Sequence, residues 1–332
     1  MFGVSLVFVN IYLKNNFMKI SKKILLSVLT ISVLILSACT SNTDATNPKS
    51  ENFKVVTTIA PLYSFTANLI EGTSTELVNL IPAQSSAHNF QLTSNIAKSI
   101  EEADLIVING LGLEEFLTDS FSQFPDKVVD TSDGVGAIAP EEMLNEEDED
   151  EHAGEYDPHI WLDPTNAIKQ VDNITNALVA KDPANEAIYK QNGDELKKRI
   201  VELNVELKAE LETVTPQPFI VFHDAYQYFG RAFNLKAEAA FEPFPGKAPS
   251  VVYLRQLLDI ISAKKVKIVY AEPQFSPKLL ESVARDNNLT IGELDPMGQT
   301  LEKDGYFVTM RKNVAELKRT FEIAKEAETL YQ

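Results

Sequence analysis

The chain has 332 residues, 44% of them hydrophobic and 23% charged, which is length for two ordinary domains and apolar material for sizeable cores. Thirty basic residues against 48 acidic ones give a formal net charge of −18, a balance that repels nucleic acid and anionic surfaces and draws cations, so no nucleic-acid partner is expected. A single cysteine excludes a disulfide framework and a Cys-based metal site.

The N-terminal segment reads as an export signal. Met18-Lys19-Ile20-Ser21-Lys22-Lys23 precedes the apolar run 24–36, and Leu36-Ser37-Ala38-Cys39 follows. A basic start, a short apolar core and small residues before a cut site describe a secretory leader. The run falls short of the roughly 20 apolar residues that a spanning helix needs. Leu-Ser-Ala-Cys resembles the bacterial lipobox, so Cys39 is expected to carry lipid and to begin the mature protein. Residues 1–38 are then upstream sequence and leader, with Met18 as the expected initiator. Residues 39–52, rich in Ser, Thr, Asn and Asp, suit a flexible tether to the membrane. The expected location is the bacterial envelope, at the outer face of the cytoplasmic membrane or in the periplasm.

From Phe53 onwards, short β-branched runs alternate with helical patterns, the mark of α/β units. Strands are expected at 53–58, 76–81, 105–108 and 127–130, with helices at 61–70 and 93–102. Leu105-Ile106-Val107-Ile108 is apolar throughout, as suits a parallel strand covered on both faces. A second series has strands at 219–222, 266–270 and 289–294, helices at 224–233, 251–263 and 276–286, and a closing helix at 306–330. Between the series, Ile188, Leu196, Ile200, Leu203 and Leu207 recur at helical spacing within 184–214. A helix of that length spans about 45 Å and makes a stiff connector. The expected architecture is thus α/β with two lobes, each a mostly parallel sheet flanked by helices. The lobes occupy 53–181 and 215–332, and a long connecting helix occupies 182–214. The first lobe contains an acidic loop at 141–157, a like-charge block of the solvated kind.

Of the four histidines, three stand in loops that follow strands. His88 follows the strand at 76–81, and His223 follows the strand at 219–222 directly. His159 lies in Asp157-Pro158-His159-Ile160-Trp161-Leu162-Asp163-Pro164, where two prolines restrict the backbone and the chain's only tryptophan supplies an apolar floor. Open α/β sheets place ligands at the C-terminal ends of their strands, so the three are expected to converge. Neutral imidazoles are borderline-soft ligands that hold Zn²⁺ at about 2.0–2.1 Å. An oxygen would complete a tetrahedron. Asp295 and Glu272 are the candidates near strand ends, and either alternatively orients a histidine from behind. Three imidazoles that must be deprotonated imply that affinity falls steeply below about pH 6.5.

At these residues the chain resembles the cluster A-I metal-binding proteins of ABC importers, the ZnuA-like and TroA-like group. The resemblance runs from about Phe53 to the end. It rests on the His159 to Pro164 motif, on His88-Asn89-Phe90, on His223-Asp224-Ala225-Tyr226-Gln227-Tyr228-Phe229 and on Asp295-Pro296-Met297-Gly298. It implies two lobes joined by a rigid helix with one metal between them, His88 and His159 coming from the first lobe and His223 and Asp295 from the second. It further implies a lipid-anchored monomer that hands its metal to an ABC transporter permease. Manganese-type relatives carry a carboxylate at the third position and zinc-type relatives a histidine, so His223 points to Zn²⁺, with Mn²⁺ or iron as the alternative. Two features depart from the family pattern. Ala87 stands where a proline usually precedes the first histidine, and the acidic loop, often His-rich in zinc-type relatives, holds only His152. A weak cation-gathering role for His152 is weighed against plain solvation.

Two other function classes fit the sequence less well. A zinc hydrolase keeps an open coordination position beside a general base, yet neither His-Glu-x-x-His nor Gly-x-Ser-x-Gly is present, so no enzymatic activity is expected. A surface adhesin has no positive feature in the sequence.

Overall fold

Two parallel four-stranded sheets carry the site, and the computed structural model builds them in the same way. It describes residues 53–88, 90–140, 144 and 155–330. The leader, Cys39, the tether and His152 lie outside the described residues. In the first lobe β1 (Lys54–Thr57), β2 (Glu76–Asn79), β3 (Leu105–Ile108) and β4 (Val128–Asp130) take the order β2-β1-β3-β4. In the second, β5 (Phe219–Val221), β6 (Ala239–Ala240), β7 (Ile268–Ala271) and β8 (Thr290–Glu293) take the order β6-β5-β7-β8. Each series therefore starts on an inner strand, steps to one edge and returns past its start. All pairings are parallel, with Val55 opposite both Leu77 and Leu105 in the first sheet and Ile268 opposite both Phe219 and Thr290 in the second.

Among the described residues, eight helices surround the sheets: α1 (Ala60–Leu69), α2 (Ser94–Glu102), α3 (Pro164–Lys181), α4 (Glu186–Leu211), α5 (Gln227–Phe233), α6 (Val251–Lys264), α7 (Lys278–Asp286) and α8 (Gly305–Leu330). A single helical turn at Thr118–Phe121 completes the first lobe. Local chemistry sets several starts. Thr93 caps α2 by accepting from the Ile96 N–H, and Ser250 caps α6 through the Tyr253 N–H. Asp163 caps α3 with Pro164 at its first position, where a missing N–H costs nothing.

The outer face of each sheet has its own apolar layer. Val56 and Ile106 pack on Ile96, Ile100 and Phe121 in the first lobe, and Ile220 and Val269 pack on Leu257, Ile261 and Leu280 in the second. The inner faces behave differently. Val55 and Val107 from one sheet and Phe219, Val221 and Tyr270 from the other belong to one continuous core. Phe65 of α1, Val171 and Ile174 of α3, Leu196, Ile200, Leu203 and Leu207 of α4, and Met310 and Phe321 of α8 fill it. Each buried leucine or isoleucine there is worth about 1.5–3 kcal/mol, so the layer between the sheets is where the lobes are held together.

α4 packs on α3, α1 and α8. Gly193 sets its approach to α3: a Cβ there would lie 2.9 Å from the Thr175 hydroxyl, so the cost of a glycine in mid-helix, about 1 kcal/mol, is exchanged for close contact. Arg199 reaches Asp304 at 2.5 Å and Glu206 reaches Arg311 at 2.7 Å, while Glu210 pairs with Lys318. These are solvent-facing pairs of small individual worth.

The middle of the chain differs from the sequence expectation. The long helix occupies Glu186–Leu211, after a 3₁₀ turn at Pro183–Asn185, and it pairs with the 18-residue α3, which is absent from the sequence expectation although Ala167, Val171, Ile174 and Leu178 recur at helical spacing. α3 also buries Asn166, Gln170 and Thr175 beside those four apolar residues. Strand β6 consists of two alanines, too short and too small to signal a strand. Among the described residues, no helix is long and apolar enough to cross a membrane.

Candidate metal centre

The three histidines meet where both sheets end. His223 follows β5 directly, with the Phe222 carbonyl still bonded to the Glu242 N–H. His88 lies on the loop between β2 and α2, its N–H donating to the Ser86 hydroxyl at 3.2 Å. His159 lies between β4 and α3 and opens the 3₁₀ turn Ile160–Leu162. Its Nε2 is 3.1 Å from Nε2 of His88 and 3.2 Å from Nε2 of His223. One ring nitrogen from each histidine falls within 4.8 Å of the others, and among the described residues no carboxylate or thiol joins that set.

What stands behind the rings decides what those nitrogens present. Nδ1 of His159 is 2.8 Å from Oδ1 of Asp157, and Nδ1 of His223 is 2.8 Å from Oε2 of Glu272. Ionised carboxylates only accept, so in the neutral form of each ring Nδ1 carries the hydrogen and Nε2 turns a bare lone pair toward the centre. Two lone pairs at 3.2 Å repel, and a cation between them turns that repulsion into attraction. His159, His223, Asp157 and Glu272 are all buried, at 3%, 3%, 2% and 3% exposure. His88 is partly exposed, and among the described residues no carboxylate backs its ring.

Burial, reinforced by the neighbouring rings, holds His88 well below the usual histidine range, and His159 likewise. Both rings are therefore neutral near pH 7 and ready to coordinate. Burial also pulls His223 down, but the Glu272 carboxylate, with help from Asp224 and Asp157, outweighs it and raises the ring's affinity for a proton. Burial lifts Asp157 to about 7, and the His159 N–H bond to its Oδ1 opposes the rise. Glu272 is raised by burial and pulled back by His223.

Aromatic rings wall the centre. Trp161 lies 5.4 Å from the His159 ring, Phe244 lies 6.3 Å from His88 and Phe275 lies 6.0 Å from His223. The Trp161 Nε1–H donates to the Pro296 carbonyl at 2.6 Å, and the Tyr306 hydroxyl donates to the Trp161 carbonyl at 3.0 Å. The tryptophan that floors His159 is thus tied to the second lobe on two sides.

His88, His159 and His223 are brought together, and neither carboxylate candidate joins their group. Glu272 lies behind His223, on the ring nitrogen that faces away from the centre. Asp295 is not gathered into the group. Its Oδ1 accepts from Gln274 Nε2 at 2.7 Å and from the backbone of Met297 and Gly298 at 3.0 and 2.8 Å. Those bonds fold the loop after β8 around the carboxylate, and three donors on one oxygen compete with a cation for it. Asp157 was missed by sequence reasoning. The signal available was its place two residues before His159, where one oxygen reaches both the backbone N–H and Nδ1 of the same histidine.

Comparison with known proteins follows the same lines. The family described as zinc-uptake complex component A, periplasmic (ZnuA), matches residues 55–320. The high-affinity zinc uptake system protein ZnuA of Brucella abortus (strain 2308) is 31% identical over 310 residues, covering 82% of this chain and 92% of that protein. The zinc-binding lipoprotein AdcA of Streptococcus pneumoniae (strain ATCC BAA-255 / R6) is 26% identical over 310 residues, covering 90% of this chain and 61% of that protein. A crystal structure of ZnuA superposes with a TM-score of 0.71 at 26% identity, covering 82% of this chain and 100% of that one. The Mn²⁺ complex of the solute-binding protein FpvC from Pseudomonas aeruginosa gives 0.73 at 26% identity, covering 82% and 99%. With the two-lobed parallel fold and the three converging imidazoles, these similarities establish that the chain belongs to the ZnuA family of zinc-uptake proteins.

Proposed function

We propose that this protein captures Zn²⁺ outside the cytoplasm through Nε2 of His88, His159 and His223 and delivers it to the permease of an ABC importer. One observation carries the reading: the Nε2 separations of 3.1 and 3.2 Å lie close to the roughly 3.3 Å edge of a tetrahedron built on Zn–N bonds of about 2.0–2.1 Å. The carboxylates on Nδ1 of His159 and His223 are the orienting groups that zinc-bound histidines require. Water is the fourth ligand in this reading, because Asp295 is engaged by its own loop and Glu272 by His223. Three imidazoles favour zinc over the harder Mn²⁺. The protein is a carrier rather than an enzyme, and it works as a monomer tethered through lipid on Cys39.

The test is metal analysis of the purified protein beside His223→Ala. Wild type is expected to retain one zinc per chain through dialysis and the variant none. Retention of zinc by the variant would refute the assignment. Cys39→Ser is expected to release the protein from the membrane fraction, and a variant that stays membrane-bound would remove the lipid anchor from the reading.

A further inference from the structure

Immediately after β3 the first lobe buries a polar network that touches none of the three rings. Asn109 is fully buried, and its side-chain amide donates to the Pro158 carbonyl at 2.8 Å and to the Gly110 carbonyl at 3.1 Å. Its Oδ1 accepts from Gln170 Nε2 at 3.1 Å, and Gln170 also reaches the Thr131 hydroxyl at 2.9 Å. Glu114 anchors the other side. Its Oε1 accepts from the Thr58 hydroxyl at 2.6 Å and from the Asn109 N–H at 2.8 Å, and its Oε2 accepts from the Gly110 N–H at 3.1 Å. Gly110 sits at φ +89, and a Cβ there would lie 2.0 Å from Oδ1 of Asp130. The loop that holds Asn109 is thus fixed from several directions.

The Pro158 carbonyl is the acceptor that matters. It also accepts from the Ile160 N–H at 2.8 Å, closing a three-residue turn around His159, whose φ of −79 and ψ of 43 lie near the inverse γ-turn. Such a turn has one hydrogen bond and no regular ladder to support it. Asn109 donates to the same oxygen and so holds the peptide that leads into His159. Asp157 orients the ring, whereas Asn109 orients the backbone that carries the ring.

We infer that Asn109, held through its backbone N–H by Glu114, is a positioning residue for His159 that sets how long the protein keeps its metal. The inference rests on the proposed role of His159 as a zinc ligand. Buried hydrogen-bond partners one step from a metal ligand commonly change affinity 10–100-fold, and a partner acting through the backbone belongs at the lower end.

Four variants test it: Asn109→Ala, Asn109→Ser, Gln170→Leu and His159→Ala. Zinc dissociation is followed by transfer to a chromophoric chelator, Co²⁺ absorption reports ligand geometry, and thermal midpoints are taken on the metal-free forms. Asn109→Ala is expected to release zinc about tenfold faster and to change the intensity of the Co²⁺ d–d bands. Asn109→Ser keeps a small polar group in the pocket but is too short to reach Pro158, and it should behave alike if the alanine variant folds poorly. Gln170→Leu also loses buried hydrogen bonds but leaves Asn109 on Pro158. It should lower the midpoint while keeping dissociation within about twofold of wild type, well short of the tenfold scale. Equal acceleration by Gln170→Leu, or wild-type dissociation in both Asn109 variants, would overturn the inference. Should His159→Ala retain wild-type affinity, the failure belongs to the metal site itself rather than to Asn109.

Discussion

Removing the carboxylate behind His159 separates metal affinity from folding more cleanly than removing the ring. Oδ1 of Asp157 accepts two hydrogen bonds from one residue, from the His159 N–H at 2.9 Å and from Nδ1 at 2.8 Å. In Asp157→Asn an amide oxygen takes both, so the geometry survives and the charge does not. A hydrogen bond to a charged group is worth about 1.5–3 kcal/mol and a neutral one about 0.5–1.5. The difference, about 1.4 kcal/mol, weakens zinc binding about tenfold. Asp157→Ala removes both bonds and frees the ring to rotate, and about a hundredfold loss is expected, the upper end for a group orienting a ligand. Asp157 Oδ2 has no hydrogen-bond partner among the described residues, so the asparagine also places a buried NH₂ without an acceptor. About 1 kcal/mol of stability is lost, and the metal-free midpoint falls by roughly 2–4 °C. Trp161, the chain's only tryptophan, lies 5.4 Å from the His159 ring and serves as the reporter in a fluorescence titration against chelator-buffered zinc. Affinity of Asp157→Ala close to that of wild type would mean that His159 does not depend on its carboxylate, and the account of the centre would fail.

The same geometry bears on metal choice, proton release and stability. His223→Asp exchanges the imidazole for a harder ligand, so the Mn²⁺-to-Zn²⁺ affinity ratio measured by competition should rise by about tenfold or more; an unchanged ratio would remove His223 from metal choice. With burial lowering His88 and His159 and the Glu272 carboxylate raising His223, affinity should rise with pH as His223 gives up its proton and then level off. Calorimetry in buffers of different ionisation enthalpy should count fewer than three protons, drawn from His223 and in part from Asp157, which burial lifts to about 7; release of three near neutral pH would contradict this. Trp161→Phe leaves the buried Pro296 carbonyl without its 2.6 Å donor, costing about 1–3 kcal/mol and several degrees in the midpoint by scanning calorimetry. Arg311→Ala breaks only a solvent-facing pair with Glu206 and should cost under about 1 kcal/mol by denaturant titration.

The α/β alternation and the three histidines were legible in the sequence because both write themselves locally. A buried parallel strand needs a run such as Leu105-Ile106-Val107-Ile108, and a ligand at a strand end needs a loop residue placed directly after that run. The relation between the lobes was not legible in the same way. The sequence indicates two lobes along a stiff connecting helix, and only the structure shows that Val55 and Phe65 of the first lobe, Ile200 and Leu203 of α4, and Phe321 of α8 share one core. Helix α3 carries its signal in Ala167, Val171, Ile174 and Leu178, whereas the inward place of Gln170 depends on Asn109 and Thr131, which bond it there. The expected response to pH differs for a similar reason. Three histidines in a sequence titrate alike, but Glu272, with Asp224 and Asp157, outweighs burial at His223, whereas burial prevails at the other two. The roles of Glu272 and Asp157 depend on which nitrogen of a ring faces the centre, and only the folded loops decide that.

The shared core between the sheets has a thermodynamic consequence. A molecule whose lobes were separately stable would melt in stages, and metal bound at their junction would leave each stage largely untouched. Here neither sheet can shed its inner face without exposing residues that the other sheet also needs. Unfolding is therefore expected to be a single cooperative event, with the free energy of the cargo added to the whole chain. At a free zinc concentration about a thousand times the dissociation constant, that addition is about 4 kcal/mol. Loaded and empty carriers would then differ in their resistance to proteases everywhere along the chain, so the lifetime of the protein in the envelope becomes a record of its zinc supply.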